Sequence, residues 1–163
     1  MIKKPYPSKE VLDSRFVYDE VNGHLIYREK FLHIPAGTIA GKSHDDYIYV
    51  KIDGQEYLAH VLMWIIKTGE PPPRSIDHKD TDGSNNRWLN LRLATGTENN
   101  VNTVFRKPNK TGYRRVSKRK SGKYRARIKI NGKLTTVGTF DTAEEASNAY
   151  EERARKEFGE FYR

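Results

Sequence analysis

The sequence predicts an α+β fold in two small units: β-hairpins with a buried helix first, then a three-stranded antiparallel sheet packed on one helix. Three observations support this prediction. Asn-Gly and Asp-Gly pairs lie between runs that alternate apolar and polar residues, the pattern of short hairpins. The chain has 163 residues, which is enough for two modest cores. All of its excess positive charge lies in the last third.

The first unit is predicted from two turn signals and one apolar run. Alternating strands surround Asn22-Gly23 and Asp53-Gly54, and both residues of such pairs readily adopt positive φ. The segment from His60 to Lys67 is too apolar for a surface element. It ends at Thr68-Gly69 and is followed by three prolines, which predicts a short buried helix.

The second unit is predicted from turn signals at Ser121-Gly122 and Asn131-Gly132, which separate three strands. In the middle strand, apolar residues alternate with Arg125, Arg127 and Lys129, so one face forms a core and the other is a row of cations. A helix then begins near Thr142 with the spacing of a capping box. Its alanine-rich side should cover the apolar face and leave the cationic face open.

Charge is distributed unevenly along the chain. Residues 1–105 hold 13 Lys/Arg against 14 Asp/Glu, whereas residues 106–163 hold 17 against 7. No acidic residue lies between Glu98 and Asp141. A one-sided run of this length is typical of a protein that binds a polyanion.

Composition also excludes several classes of protein and of metal site. The chain has no cysteine, which excludes disulfide scaffolds and cysteine-ligated zinc sites. The longest apolar stretch, Leu58 to Ile66, is too short to cross a bilayer, and the N-terminus lacks the apolar run of a signal peptide. We therefore expect a cytoplasmic protein with no membrane partner.

Candidate catalytic and metal-binding residues lie in the polar segment IDHKDTDGSNNRWLNLRLATGTENN. A calcium loop is excluded because its first and twelfth ligand positions would be His78 and Leu89. A phosphodiesterase site needs a base and hard metal ligands, which Asp77, His78, Asn90 and Asn99 could supply. The same turn-forming composition also suits a purely structural loop. From the residues alone, both interpretations stay open.

The spacing of these residues resembles the HNH endonuclease motif of phage and intron-encoded homing endonucleases. The resemblance is carried by DH at 77–78, NN at 85–86, NLR at 90–92 and ENN at 98–100, and by an upstream His-to-Trp helix. It implies two strands and a helix around one divalent metal ion, Mg²⁺ or Mn²⁺. It also implies His78 as general base, Asp77 and Asn99 as metal ligands, and Asn90 as the residue that holds the loop.

The chain departs from this pattern at two places. Many relatives have a second histidine ligand one helical turn beyond the Asn99 position, where this chain has Thr103. At most two strong protein ligands are then expected, with water and DNA phosphate completing the shell. The upstream helix often begins His-Arg in the family and here reads His60-Val61, so we expect His60 to be a structural partner in the core.

Residues 111–160 resemble the APETALA-type DNA-binding domain of plant ethylene-response factors. YRRVSKRKSGKYRARI, VGTF and TAEEASNAY carry the likeness, although Arg115 stands where that family usually has glycine. The resemblance implies a sheet laid in the major groove of double-stranded DNA. The implied contacts are the cations of the sheet and its turns: Arg114, Arg119, Lys123, Arg125, Arg127 and Lys129.

Together these features predict a nuclease domain over residues 1–105 with a ββα-metal core near 74–105, a linker over 106–112 and a DNA-binding domain over 113–163. The expected function is metal-dependent, site-selective cleavage of DNA, in the cytosol of a bacterial host if the protein is phage-encoded. The alternative is a DNA-binding regulator whose nuclease-like part is degenerate. An RNA target and the choice between monomer and homodimer stay open.

Overall fold

The computed structural model describes residues 5–103 and 110–162. It divides into two compact units, Met1–Ala94 and Thr95–Arg163, and its mixture of helices and strands confirms the α+β class. The predicted linker at 106–112 lies largely outside the described residues, and the predicted domain boundary stays a prediction. Within the described part of the chain, no helix is long and apolar enough to span a membrane.

The first unit contains three helical elements and seven strands. In chain order they are α1 Lys9–Arg15, β1 Phe16–Asp19, β2 His24–Tyr27, β3 Lys42–His44, β4 Tyr47–Ile52, β5 Gln55–Leu58, α2 Ala59–Thr68, β6 Ser75–His78, a 3-10 helix Trp88–Asn90 and β7 Leu91–Ala94. The strands form three antiparallel sheets, β1-β2, β3-β4-β5 and β6-β7.

Helix α2 lies at the centre of the first core. Six of its ten residues are buried, and it ends at Gly69 in the left-handed conformation (φ 91°), which confirms the predicted buried helix. Leu12 of α1, Phe16 of β1 and Leu25 of β2 are fully or almost fully buried in the same cluster. The short hairpins therefore bury their apolar side chains in one shared cluster, which stabilises strands too short to be stable alone.

Of the two turn pairs in the first unit, only one has positive φ at both residues. Asp53 and Gly54 have φ values of 50° and 84°, as the Asp-Gly signal predicts. The β1-β2 loop is longer, and of its Asn-Gly pair only Gly23 has positive φ. There the Asn22 amide donates to the Asp19 carboxylate at 2.8 Å, so the asparagine closes the loop through its side chain.

The second unit is a sheet covered by a long helix. Its elements are α3 Gly96–Asn102, β8 Val116–Lys118, β9 Tyr124–Ile130, β10 Lys133–Phe140, α4 Ala143–Phe158 and a 3-10 helix Gly159–Phe161. The strand order β10-β9-β8 and the capping box of Thr142 and Glu145 confirm the predicted arrangement. Ala146, Tyr150 and Ala154 of α4 pack on Ala126 and Ile128 of β9, where the small side chains allow close approach.

Candidate functional site

Asp77 and His78 lie at the end of β6, the strand that opens the β6-β7 hairpin. They pair in register with Arg92 and Leu91 of β7. Both are almost completely buried, with 4% and 5% of their surface exposed. Successive side chains on a strand point to opposite faces, so the Asp77 carboxylate and the His78 ring have different neighbours.

Asp77 is the acidic partner of a buried ion pair. The Nε of Arg92 donates to its Oδ2 at 2.8 Å, and the side chains of the two residues are 4% and 9% exposed. A carboxylate buried this deeply needs a partner, because transfer of an isolated charge out of water is very unfavourable. A cation bound at Asp77 therefore shares this carboxylate with Arg92.

His78 is held by an amide oxygen. Its Nε2 lies 2.9 Å from Oδ1 of Asn86, an atom that only accepts, so Nε2–H donates and the lone pair of the neutral ring lies on Nδ1. The ring also packs edge-on against His60 at 5.0 Å and against Tyr47 at 5.9 Å. This environment fixes both the tautomer and the orientation of the imidazole.

His60 lies on α2 beside His78 and is buried. Burial and, to a smaller extent, the neighbouring His78 together lower its pKa to about 3. Its Nδ1 has no hydrogen-bond partner among residues 5–103 and 110–162. His60 is therefore a neutral wall of the His78 pocket, in keeping with the core position expected for it.

Asn90 closes the loop between β6 and β7. Its amide nitrogen donates to Asp80 Oδ1 at 2.9 Å and to the Asn85 carbonyl at 2.7 Å, and its Oδ1 accepts from the Asp80 backbone N–H. Burial raises the pKa of Asp80, but hydrogen bonds from Asn90, the Asp82 backbone and Asn85 outweigh it and leave the pKa below its usual range. The contacts of Asn90 are of the kind that its predicted role requires.

Asn86 is a site residue to which sequence reasoning gave no role. It is 1% exposed, and its backbone carbonyl accepts from the Tyr18 hydroxyl at 2.7 Å. Gly23 lies directly against it, since a Cβ there would stand 2.6 Å from the backbone of Asn86 and Arg87. The NN pair at 85–86 signalled this position, but only the fold connects Asn86 to His78.

The residues present fit a divalent metal ion in part. Carboxylate and amide oxygens such as those of Asp77 and Asn99 suit Mg²⁺ or Mn²⁺. No group of three or more His, Asp or Glu side chains able to hold a metal occurs in the described part of the chain. Asn99 is half-buried on α3, where the Thr103 hydroxyl donates to its carbonyl at 3.1 Å, and its role as a ligand stays a prediction.

The cationic residues of the second unit fall into two groups. Arg125, Arg127 and Lys129 alternate along β9 with buried Ala126 and Ile128, so they share the face opposite α4. This face also holds neutral residues of the flanking strands at the positions that pair with the three cations. They are Ser117, Leu134, Thr136 and Thr139.

The other predicted contacts are differently placed. Arg119 and Lys123 are exposed at the β8-β9 turn, and Lys123 forms a surface ion pair with Asp141 at 3.0 Å. The guanidinium of Arg114 donates to the carbonyls of Val101 and Asn100, at the C-terminal end of α3. Arg114 thus caps a helix, a role that its position in the sequence did not signal.

Comparison with known proteins places residues 57–101 in a match to the HNH endonuclease family. An uncharacterized HNH endonuclease of Acanthamoeba polyphaga mimivirus is 35% identical over 109 residues, which is 66% of this chain and 56% of the viral protein. The chain thus spans little more than half the length of that relative. No solved structure matches the chain. The two matches support a nuclease enzyme, and the matched family segment contains Asp77, His78, Asn90 and Asn99.

Proposed function

We propose that the chain is a metal-dependent, site-selective DNA endonuclease, with His78 as general base and Asp77 and Asn99 as ligands of one Mg²⁺ or Mn²⁺ ion. The observation that carries the proposal is the oriented imidazole of His78, next to the buried carboxylate of Asp77, inside the segment that matches the HNH endonuclease family. Asn90 holds the loop between the two strands. The second unit supplies affinity and position on DNA.

The chemistry assigned to His78 is proton transfer. Hydrolysis of a phosphodiester needs a water that loses a proton as its oxygen attacks phosphorus. The ring accepts that proton at Nδ1, while Nε2–H keeps its bond to the Asn86 oxygen and holds the imidazole in position. When bound, the metal ion neutralises charge on the phosphate and on the leaving oxygen.

His78→Ala tests the base. The purified full chain is incubated with supercoiled plasmid in Mg²⁺, Mn²⁺ or EDTA, and nicked and linear products are compared with duplex binding measured in EDTA. We expect metal-dependent cleavage by the wild type and loss of cleavage by His78→Ala with binding retained. His44→Ala is the matched control, since His44 is an exposed histidine on β3 of the same unit. An equal loss of binding in His78→Ala contradicts the role of a base.

The DNA-binding role of the second unit rests on the open cationic face of β9. Replacing Arg125, Arg127 and Lys129 together by alanine should weaken duplex binding and lower the slope of log affinity against log salt by about 0.9 per lost phosphate contact. A control with the same charge change removes three exposed cations of α4. They are Arg153, Arg155 and Lys156. Equal effects of the two triple variants refute recognition by this face.

A second candidate function is favoured by one observation. Arg92 already balances the charge of Asp77 in the buried ion pair. A DNA-binding regulator with a structural nuclease-like unit would have the same feature. The plasmid assay separates the two functions, because a regulator binds duplex DNA but does not cleave the plasmid in Mg²⁺, Mn²⁺ or EDTA.

A further inference from the structure

The second unit contains a cavity of about 430 Å³. Three cationic side chains line it, Arg114, Arg115 and Lys129, together with the hydroxyl-bearing Thr97 and Tyr150. No carboxylate is among the described residues of its lining. A space of this volume is far larger than a packing gap between apolar side chains, and its lining is suited to a polar anion.

Arg115 occupies a backbone conformation that favours glycine. Its φ is +60°, and its carbonyl accepts from the backbone N–H of Arg127 at 3.2 Å, which ties this segment to β9. Residues with a Cβ are strained in this region, and such strain is concentrated at functional positions. The side chain is exposed, so packing of the core does not require an arginine here.

The charge of Arg115 acts inside the cavity. Burial raises the pKa of Tyr150, whose ring is 2% exposed, and the positive charges of Arg114 and Arg115 oppose that rise. Arg114, Arg115 and Tyr150 all line the cavity. Arg114 is committed to the carbonyls at the end of α3, whereas no ion pair of Arg115 or Lys129 is found in the described part of the chain.

We propose that this cavity binds one phosphate group of the nucleic-acid backbone and that Arg115 is the residue that contacts it. The inference rests on the proposed DNA-binding function and adds to it a phosphate site at Arg115, next to Lys129 at one end of the row of cations on β9. A guanidinium matches two phosphate oxygens at once, and Lys129 supplies a second cation in the same lining. Phosphate binding then explains why an arginine occupies this strained backbone position.

The test replaces Arg115 by glycine in the full chain. Arg115→Gly removes both the charge and the strain, so we expect an unchanged or higher melting temperature, about tenfold weaker duplex binding in EDTA and a salt slope lower by about 0.9. Arg115→Lys should keep most of the salt slope. Asn131→Gly is a control for the backbone, because Asn131 also has positive φ, 49°, and carries no charge. Lys133→Ala is a control for the loss of an exposed cation of the same sheet.

A second arm uses inorganic pyrophosphate as the probe, without DNA. Pyrophosphate should raise the melting temperature of the wild type and of both controls, and should not raise that of Arg115→Gly. If the wild type fails to bind DNA but shows this pyrophosphate effect, the DNA function fails and the phosphate site stands. If Arg115→Gly matches the wild type in salt slope and in its response to pyrophosphate, the phosphate site is refuted. The same conclusion follows if Lys133→Ala weakens binding as much as Arg115→Gly.

Discussion

Arg92→Met separates the structural role of the buried ion pair from its chemistry. The substitution keeps most of the side-chain volume and leaves the carboxylate of Asp77, 4% exposed, without the guanidinium 2.8 Å away. Loss of one partner from a buried pair typically costs about 3–5 kcal/mol. A unit of this size changes its melting temperature by about 4–8 °C for each kcal/mol, so we expect a fall of more than about 10 °C.

The assay is thermal unfolding of the full chain in EDTA, followed by circular dichroism. Arg15→Met is the matched control, because Arg15 pairs with Asp53 in the same unit, but the two side chains are 30% and 70% exposed. Exposed pairs contribute about 0–1 kcal/mol, so this control should melt close to the wild type. If Arg92→Met melts no lower than Arg15→Met, the reasoning about the buried pair is refuted.

Three further predictions concern the first unit. Gly23→Ala should destabilise the chain by at least about 2 kcal/mol more than Gly54→Ala and should reduce cleavage. Both glycines have positive φ, but only at Gly23 would an added Cβ meet the backbone of Asn86. Equal unfolding free energies of the two variants would contradict this prediction. The pKa of His60 is depressed to about 3, so the free energy of unfolding should fall as pH drops below the unfolded pKa of about 6.5, by up to about 1.4 kcal/mol per pH unit. Urea unfolding of His60→Gln should show a flatter dependence on pH. A dependence as steep as that of the wild type would contradict the role of His60. Leu32 is 74% exposed and has a φ of 53°, a strained conformation for a residue with a Cβ. Leu32→Gly should therefore raise the free energy of unfolding by about 1 kcal/mol. A lower free energy of unfolding would show that the leucine makes a stabilising contact.

The elements that the sequence predicted correctly are those set by local signals. Asn131 and Gly132 both take positive φ, so the β9-β10 hairpin follows from the turn pair itself. Helix α2 follows from its continuous apolar run and from Gly69, and α4 from its capping box. In each case the residues that decide the structure are within a few positions of the element that they form.

The elements that the sequence did not reveal depend on distant residues. Helix α1 and strand β3 carry no strong signal of their own, and β3 is exposed throughout and exists by pairing with β4. Of the site, Asp77 and His78 lie at the end of β6. The ion pair with Arg92 and the hydrogen bond from His78 to Asn86 require the register of β6 with β7 and the path of the loop between them, which spacing alone does not give.

The ion pair also changes how the predicted metal ligand has to be tested. Asp77→Asn removes the proposed ligand charge and at the same time breaks the buried ion pair with Arg92, so loss of cleavage could arise from unfolding. The double variant Asp77→Asn/Arg92→Met removes both charges together, and we expect it to recover most of the stability lost in either single variant. If Asp77 holds the metal ion, the double variant stays inactive in Mg²⁺ and Mn²⁺ although it is folded and binds duplex DNA. Recovery of cleavage along with stability would limit Asp77 to a structural role.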